Sequence, residues 1–173
     1  RAIQTIHEGG SRYRDHVTTA GYDTANRVNR EEDRLGNVTA LEYWPGGEVK
    51  TKTQTDVNTL DQTTDSLTTR FLYDALDRLV TTIVGPTETH RVFYDSLGHT
   101  RLTIGPTGRK TEFTYDRYGR LEKTGERYEE SRIDDVAGTL DAQLVPDGSG
   151  VTWEHREYDL NSRLTLIRSP NGR

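Results

Sequence analysis

One short stretch occurs three times between residues 71 and 121: Phe71-Leu72-Tyr73-Asp74, Val92-Phe93-Tyr94-Asp95 and Phe113-Thr114-Tyr115-Asp116. Its tyrosines follow one another at intervals of 21 residues. A fixed period of this length indicates a protein built from structural repeats. The repeat is therefore the unit from which we predict the fold.

The same frame extends in both directions along the chain. Tyr22 and Tyr43 are also 21 residues apart, and five of the nine tyrosines are followed directly by Asp. Four to six residues after most of these tyrosines come a small or polar, a basic and an aliphatic residue. We single out these repeat positions: Tyr22, Asp23, Arg27, Tyr43, Gly47, Tyr73, Asp74, Arg78, Tyr94, Asp95, Gly98, Tyr115, Asp116, Gly119, Arg120, Tyr158, Asp159 and Arg163.

The local chemistry of each repeat predicts a β-hairpin. Phe113 and Tyr115 lie two residues apart and so share one face of a strand. The carboxylate of the following Asp can accept hydrogen bonds from backbone N–H groups two residues on, which fixes a turn. A glycine such as Gly119 suits the closing position, where φ is often positive. Two strands of about six residues and two turns fill the period.

The motif Tyr-Asp-x-x-Gly-Arg-Leu resembles the Rhs, or YD-repeat, family, and residues 115–121 match it without a departure. The resemblance covers roughly residues 13–123 and 151–173. The family includes bacterial polymorphic toxins, shell components of insecticidal toxin complexes and animal teneurins. The resemblance implies hairpins stacked into a long spiralling sheet that closes as a hollow shell around a cargo.

We therefore expect an all-β fold of stacked antiparallel hairpins of about 21 residues, forming a segment of a YD-repeat shell. Residues 1–173 are expected to be one partial array, with regular repeats at about 13–49 and 70–123 and a last repeat at 151–173. Insertions are expected at about 50–69, where nine extra residues lengthen a loop, and at 125–150, as an elongated hairpin or surface loop. Both ends resemble interrupted repeats, so the chain is expected to be a piece of a longer protein.

Composition favours a thin sheet over a compact domain. Only 31% of the residues are hydrophobic, and even with the 16 Gly added the apolar share falls short of the about 45–50% of a typical globular domain. Disorder is also disfavoured, because Tyr, Val, Leu and Thr recur in a regular pattern and the net charge is only −5. The net charge also argues against nucleic acid as a partner, since phosphate binding needs a clustered basic surface. No apolar run has the roughly 18 residues that a membrane span requires.

The repeated side chains are expected to hold the array together. If equivalent residues of adjacent hairpins approach at the strand spacing of about 4.8 Å, the tyrosines form a ladder of ring contacts. The arginines Arg27, Arg78, Arg120 and Arg163 could pair with turn aspartates of their own or a neighbouring hairpin. His99 stands where most repeats have Arg, so we interpret it as a substitution within the repeat rather than a metal ligand.

Two functions from different classes fit this sequence. The first is a structural wall segment of an Rhs shell that encloses or displays a toxin or effector domain. Its partners would be the rest of the shell, the enclosed domain and delivery-system proteins, at a secreted or bacterial cell-surface location. The second is a carbohydrate-binding or adhesion module that uses the repeated tyrosines. We predict no enzyme activity, catalytic residue, cofactor or metal, because turn geometry explains the repeated aspartates better than a catalytic pair does.

Overall fold

The computed structural model describes residues 4–8, 16–58, 60–61, 63–128 and 152–169. They fall into two compact units, Arg1–Thr87 and Glu88–Arg173. The first contains β1 (Gln4–Glu8), β2 (His16–Tyr22), β3 (Val28–Glu32), β4 (Val38–Tyr43), β5 (Val49–Val57), β6 (Thr64–Tyr73) and β7 (Leu79–Val84). The second contains β8 (Glu88–Tyr94), β9 (Thr100–Ile104), β10 (Arg109–Tyr115), β11 (Leu121–Tyr128), β12 (Thr152–Tyr158) and β13 (Leu164–Arg168).

Each unit is an antiparallel sheet in which strands that follow one another in sequence are paired. This arrangement is a meander of hairpins, which short turns between consecutive strands favour. The predicted all-β fold of successive antiparallel hairpins is confirmed.

The repeated tyrosines mark the strand ends. Every even-numbered strand from β2 to β12 ends at one of them, and the next strand begins six residues later. The register shifts by one residue at the same point in each of these hairpins, so that Tyr115, for example, pairs with Leu121 rather than Glu122. Such a β-bulge places one extra residue opposite a single partner and increases the local twist. The 21-residue period is thus one hairpin with its bulge and a returning turn.

The expectation of a lengthened loop at residues 50–69 is wrong. The extra residues extend β5 and β6, which pair continuously from Thr51 with Arg70 to Val57 with Thr64. Hydroxyl groups meet across the two strands, at 3.0 Å between Thr53 and Thr68 and 2.8 Å between Thr55 and Ser66. β-branched threonines on alternate positions favour a strand over a loop, and these cross-strand pairs stabilise it.

The most buried side chains of the second unit lie on β9 and β10. Leu102 and Ile104 are fully or nearly fully buried, and Phe93 packs against them. Directly opposite, Lys110 and Glu112 are also buried despite their charge. The guanidinium of Arg127 lies 3.5 Å from the Glu112 carboxylate, which partly compensates the loss of water around both.

Some sequence predictions concern residues outside the described part of the chain. The predicted elongated hairpin or loop at 125–150 falls there beyond Tyr128, as do the first and last few residues of the interrupted end repeats. Within the described residues, no helix has the length and apolar character needed to cross a membrane.

Candidate functional site: the repeated tyrosine, aspartate and arginine positions

Each regular hairpin closes through the same turn, which residues 116–120 illustrate. The backbone N–H of Asp116 donates to the carbonyl of Arg120 at 2.9 Å, and the N–H of Gly119 donates to the carbonyl of Asp116 at 2.9 Å. The Oδ1 atom of Asp116 accepts from the N–H groups of Tyr118 and Arg120 at 2.8 and 3.0 Å. Its Oδ2 atom accepts from Arg120 Nε at 2.7 Å. One carboxylate therefore satisfies two backbone donors and one guanidinium.

The same bonds occur in the other turns that begin with Asp after Tyr. Nε of the arginine four residues later donates to Oδ2 of Asp23, Asp74 and Asp159 at 2.7 to 2.8 Å. In the turn of Asp95, His99 Nδ1 takes this place at 3.0 Å. The residue before the basic position has positive φ, and it is Gly98, Gly119, Asn26, Asp77 or Ser162.

These hydrogen bonds lower the pKa of the turn aspartates. Backbone donation from Arg27 and Arg163 holds the pKa of Asp23 and Asp159 below the usual value, and the side chain of Arg78 does the same for the pKa of Asp74. For Asp116, desolvation raises the pKa, but the bonds from Arg120 and Tyr118 together with the charge of Arg120 leave the pKa below its usual value. Hydrogen bonds to the charged form stabilise that form, so the turn carboxylates are ionised at neutral pH.

In three of these turns the basic residue also contacts the tyrosine of the next hairpin. The guanidinium carbon of Arg27 lies 4.3 Å from the ring centroid of Tyr43, and that of Arg120 lies 4.6 Å from the ring of Tyr158. The ring of His99 is stacked on Tyr115 with 4.6 Å between centroids. We call this pairing, with the hydroxyl bond described next, the inter-hairpin contact.

The tyrosine hydroxyl completes the inter-hairpin contact. It donates to the backbone carbonyl of the first residue of the preceding hairpin's second strand. The bonds run from Tyr43 to Val28 at 2.6 Å, from Tyr115 to Thr100 at 2.8 Å and from Tyr158 to Leu121 at 2.9 Å. Each accepting residue pairs with the tyrosine of its own hairpin, so it is held from both sides.

The predicted ladder of tyrosine rings is wrong for these three tyrosines, whose rings stack on Arg or His instead. Equivalent positions of adjacent hairpins lie two strands apart, or about 9.6 Å, rather than one. Aromatic rings interact at centroid distances of about 4.5–7 Å, so they cannot meet directly across this gap. The basic side chain between them fills it.

Tyr43 and Trp44 begin a turn that departs from the pattern. Trp44 replaces Asp, while the backbone bonds of the turn are kept, with Gly47 at positive φ. Glu48 occupies the basic position, and desolvation together with the charge of Glu48 raises the pKa of Tyr73 in the next hairpin. The indole N–H of Trp44 reaches the carbonyl of Phe71 at 3.4 Å.

The turn between β3 and β4 repeats the motif. Asp33 accepts from the N–H groups of Leu35 and Asn37 at 2.8 and 2.9 Å, and Gly36 has positive φ. Asn37 takes the place of the arginine, with Nδ2 2.8 Å from Asp33 Oδ2. The Asp-x-x-Gly spacing was the available signal, but no tyrosine directly precedes it.

Several other polar side chains of the second unit are paired with one another. A groove of about 840 Å³ in the second unit is lined by residues of β10, β11 and β12. Arg109 pairs there with Glu126, and Arg156 pairs with Glu154 and with the hydroxyl of Thr124. Among the described residues, no group of three or more His, Asp or Glu side chains is arranged to hold a metal ion.

Comparison with known proteins agrees with this geometry. Residues 94–133 match the family model described as RHS Repeat. The matched stretch contains the turns of Asp95 and Asp116 and the contact of His99 with Tyr115, and it confirms the resemblance predicted from the sequence. No curated protein sequence matches the chain.

One solved structure shares the fold of this chain. The crystal structure of TcdB2-TccC3-TEV aligns with a TM-score of 0.53 at 16% identity, over 95% of this chain. The crystal structure of TcdB2-TccC3 without its hypervariable C-terminal region aligns with a TM-score of 0.48 at 16% identity, over 90% of this chain and 9% of that one. The structure of the Photorhabdus luminescens Tc holotoxin pore with a TccC3 mutation aligns with a TM-score of 0.47 at 16% identity, over 92% of this chain and 9% of that one. The chain spans 10% of the length of the first structure.

Proposed function

We propose that this chain is a structural wall segment of an Rhs, or YD-repeat, shell. The observation that carries the proposal is the inter-hairpin contact. In it, the charged group that closes one hairpin also covers the tyrosine of the next, as Arg120 does for Tyr158. Residues used in this way in successive hairpins serve the cohesion of an extended sheet, because each repeat is stabilised mainly by its neighbours.

The shell encloses a toxin or effector domain in this proposal. The match to the RHS repeat model and the fold shared with a segment of TcdB2-TccC3-TEV support it. The partners are then the rest of the shell and the enclosed domain, with delivery-system proteins as further partners. A secreted or bacterial cell-surface location follows from the same resemblance.

A carbohydrate-binding stripe of tyrosines is the less favoured function. Stacking on a sugar requires an open ring face. The rings of Tyr43, Tyr115 and Tyr158 each have one face against a basic side chain. Their hydroxyl groups are engaged with backbone carbonyls, so they have less to offer a polar ligand.

The chain acts without catalysis in this proposal. A glycosidase-type general acid needs a carboxyl group whose pKa is raised. The pKa values of Asp23, Asp74, Asp116 and Asp159 are instead lowered by the turn hydrogen bonds. These carboxylates are occupied in closing hairpins.

Protease protection tests the enclosing role. In the protein that carries this chain, the enclosed domain should resist protease while the wall is intact. It should become cleavable when Arg120→Gln and Tyr158→Phe are combined, which removes one inter-hairpin contact. The matched control is Tyr118→Phe, because Tyr118 lies exposed at a turn. A domain that is cleaved equally in all three proteins would contradict enclosure by this wall.

A further inference from the structure

The strand β6 extends past the end of its neighbour β7. β7 ends at Val84, which pairs with Thr69. The N–H of Gly85 then donates to the carbonyl of Thr68 at 2.9 Å, and the chain turns away at this glycine, whose φ is 60°. Residues 64–67 pair with β5 on one side, and no described strand pairs with their other side. We call residues 64–67 the overhanging edge.

Burial along β6 changes where β7 ends. From Thr69 to Tyr73 the side chains alternate between half-buried and exposed, whereas every side chain from Thr64 to Thr68 is exposed. The overhanging edge lies in the interior of the sequence, and its pairing with β5 continues without a break as far as Val57. A strand that is held by one neighbour and open on its other side is a template for a further strand.

The bond that Thr68 accepts fixes the direction of the other backbone groups. In an antiparallel sheet the N–H and C=O groups of successive residues point to opposite neighbours, and the carbonyl of Thr68 points towards β7. The backbone groups of Ser66 and Thr64 therefore point to the open side, and those of Asp65 and Leu67 point to β5. The overhanging edge thus offers two donors and two acceptors to an added strand.

The charge of the overhanging edge restricts which strand can pair with it. Asp65 lies directly opposite Asp56 of β5, and both side chains are exposed. Like charges that lie opposite each other destabilise a strand pair. A charged residue on an open edge also disfavours association with an identical edge. A lysine or arginine opposite Asp65 on the open side reduces this repulsion, whereas an acidic residue increases it.

We propose that the overhanging edge binds an antiparallel β-strand of a partner protein with a basic residue opposite Asp65. Side chains come closest at this position, because Asp65 directs its own backbone groups to β5. An apolar residue of the partner lies opposite Leu67. Residues with hydroxyl groups lie opposite Thr64 and Ser66, and they extend the pair of hydroxyl groups that Ser66 forms with Thr55. The binding goes beyond the proposed function and does not depend on what the wall encloses.

A cyclic β-hairpin peptide whose outer strand reads Thr-Val-Thr-Lys-Thr tests the proposal against the isotope-labelled chain 1–173. Cyclisation holds the strand in its binding conformation and so reduces the entropy lost on association. We expect the backbone amide signals of Thr64 and Ser66 to shift most on titration, and those of Asp65 and Leu67 to shift less. The peptide with Glu in place of Lys should bind about fivefold more weakly, because a like-charge pair replaces an opposite-charge pair.

Asp65→Lys in the chain should reverse the preference, so that the Glu peptide binds more tightly than the Lys peptide. The matched control is Glu122→Lys, which makes the same change in net charge at an exposed position on β11 and should keep the preference for the Lys peptide. Each comparison sets two peptides against one protein, so it does not depend on the stability of a variant.

Three results would overturn the proposal. The first is that neither peptide binds, or that both bind the unmodified chain equally. The second is a set of shifts that leaves Thr64 and Ser66 unaffected. The third is a shift of these two amide signals with chain concentration in the absence of peptide, which would assign the overhanging edge to a second copy of the chain.

Discussion

The guanidinium of Arg120 joins two hairpins, because it lies 4.6 Å from the ring centroid of Tyr158 while its Nε atom binds Asp116 of its own turn. Its Nη1 atom also lies 3.3 Å from the carbonyl of Asp159 and 3.2 Å from the hydroxyl of Ser162 in the next turn. A planar group with several donors can make these contacts together, whereas an ammonium group cannot.

Arg120→Lys is expected to destabilise the chain more than Arg163→Lys. Both changes disturb a bond to the turn aspartate, but Arg120 also covers the ring of Tyr158 and contacts the next turn through Nη1. The ring contact should contribute about 0.5–1 kcal/mol to the difference, as a partly exposed cation–π contact does, and the contacts with the next turn add to it. Urea unfolding of both variants measures the difference. Equal losses would show that the contacts with the next hairpin contribute nothing.

Tyr115→Phe and Tyr158→Phe should each lower the free energy of unfolding by about 1 kcal/mol. Each variant keeps the ring but removes a hydroxyl donor, leaving a backbone carbonyl unpaired on that side. Tyr118→Phe is the control, because its hydroxyl accepts from Arg117, the adjacent residue of the same turn, where Tyr118 is exposed. Urea unfolding at one pH gives all three values. A loss for the control as large as for the other two would argue against a specific role for the inter-hairpin bond.

The hairpin boundaries were predictable because the strand period and the turn chemistry are local. Tyr and Asp mark the end of a strand and the start of a turn, and the structure places them there in each regular repeat. The partner of each tyrosine was not predictable by the same means. That partner depends on the distance between equivalent positions of adjacent hairpins. From the sequence we took this distance as one strand spacing, whereas in the sheet it is two strand spacings.

The extended hairpin of β5 and β6 was predicted as a lengthened loop for a related reason. The extra residues were counted from the interval between Tyr43 and Tyr73. The alternating threonines at 51, 53 and 55 carried the correct local signal. The burial of Lys110 and Glu112 had no such signal, since charged residues are expected at the surface.

Asp77→Gly should stabilise the chain by about 0.5 kcal/mol. Asp77 has a φ of 57°, a left-handed conformation that costs an L-residue about 1–2 kcal/mol. Glycine avoids that cost but loses more conformational entropy on folding, which offsets part of the gain. The reverse change, Gly119→Ala, should destabilise, because its φ is 77° and the new Cβ would lie 3.2 Å from His99 Nε2. Thermal unfolding of both variants checks the opposite signs.

His99→Arg should raise the thermal midpoint. Arginine carries a full charge and a planar fork of donors, so it would strengthen both the bond to Asp95 and the contact with Tyr115. His99→Gln is the uncharged control and should not raise the midpoint. A midpoint for the arginine variant no higher than that of the histidine chain would contradict the role of charge.

Acid should weaken the turns through their aspartates. The turn hydrogen bonds hold the pKa of Asp116 in the folded chain below its usual value, although desolvation acts in the opposite direction. A group with a depressed folded pKa contributes stability that is present above the unfolded pKa and is lost as pH falls through the folded pKa. Asp116→Asn should therefore lower the thermal midpoint at pH 6 and make it less dependent on pH below about 4. Asp65→Asn is the control at an exposed strand position, and a pH profile for Asp116→Asn as steep as that of the control would contradict this account.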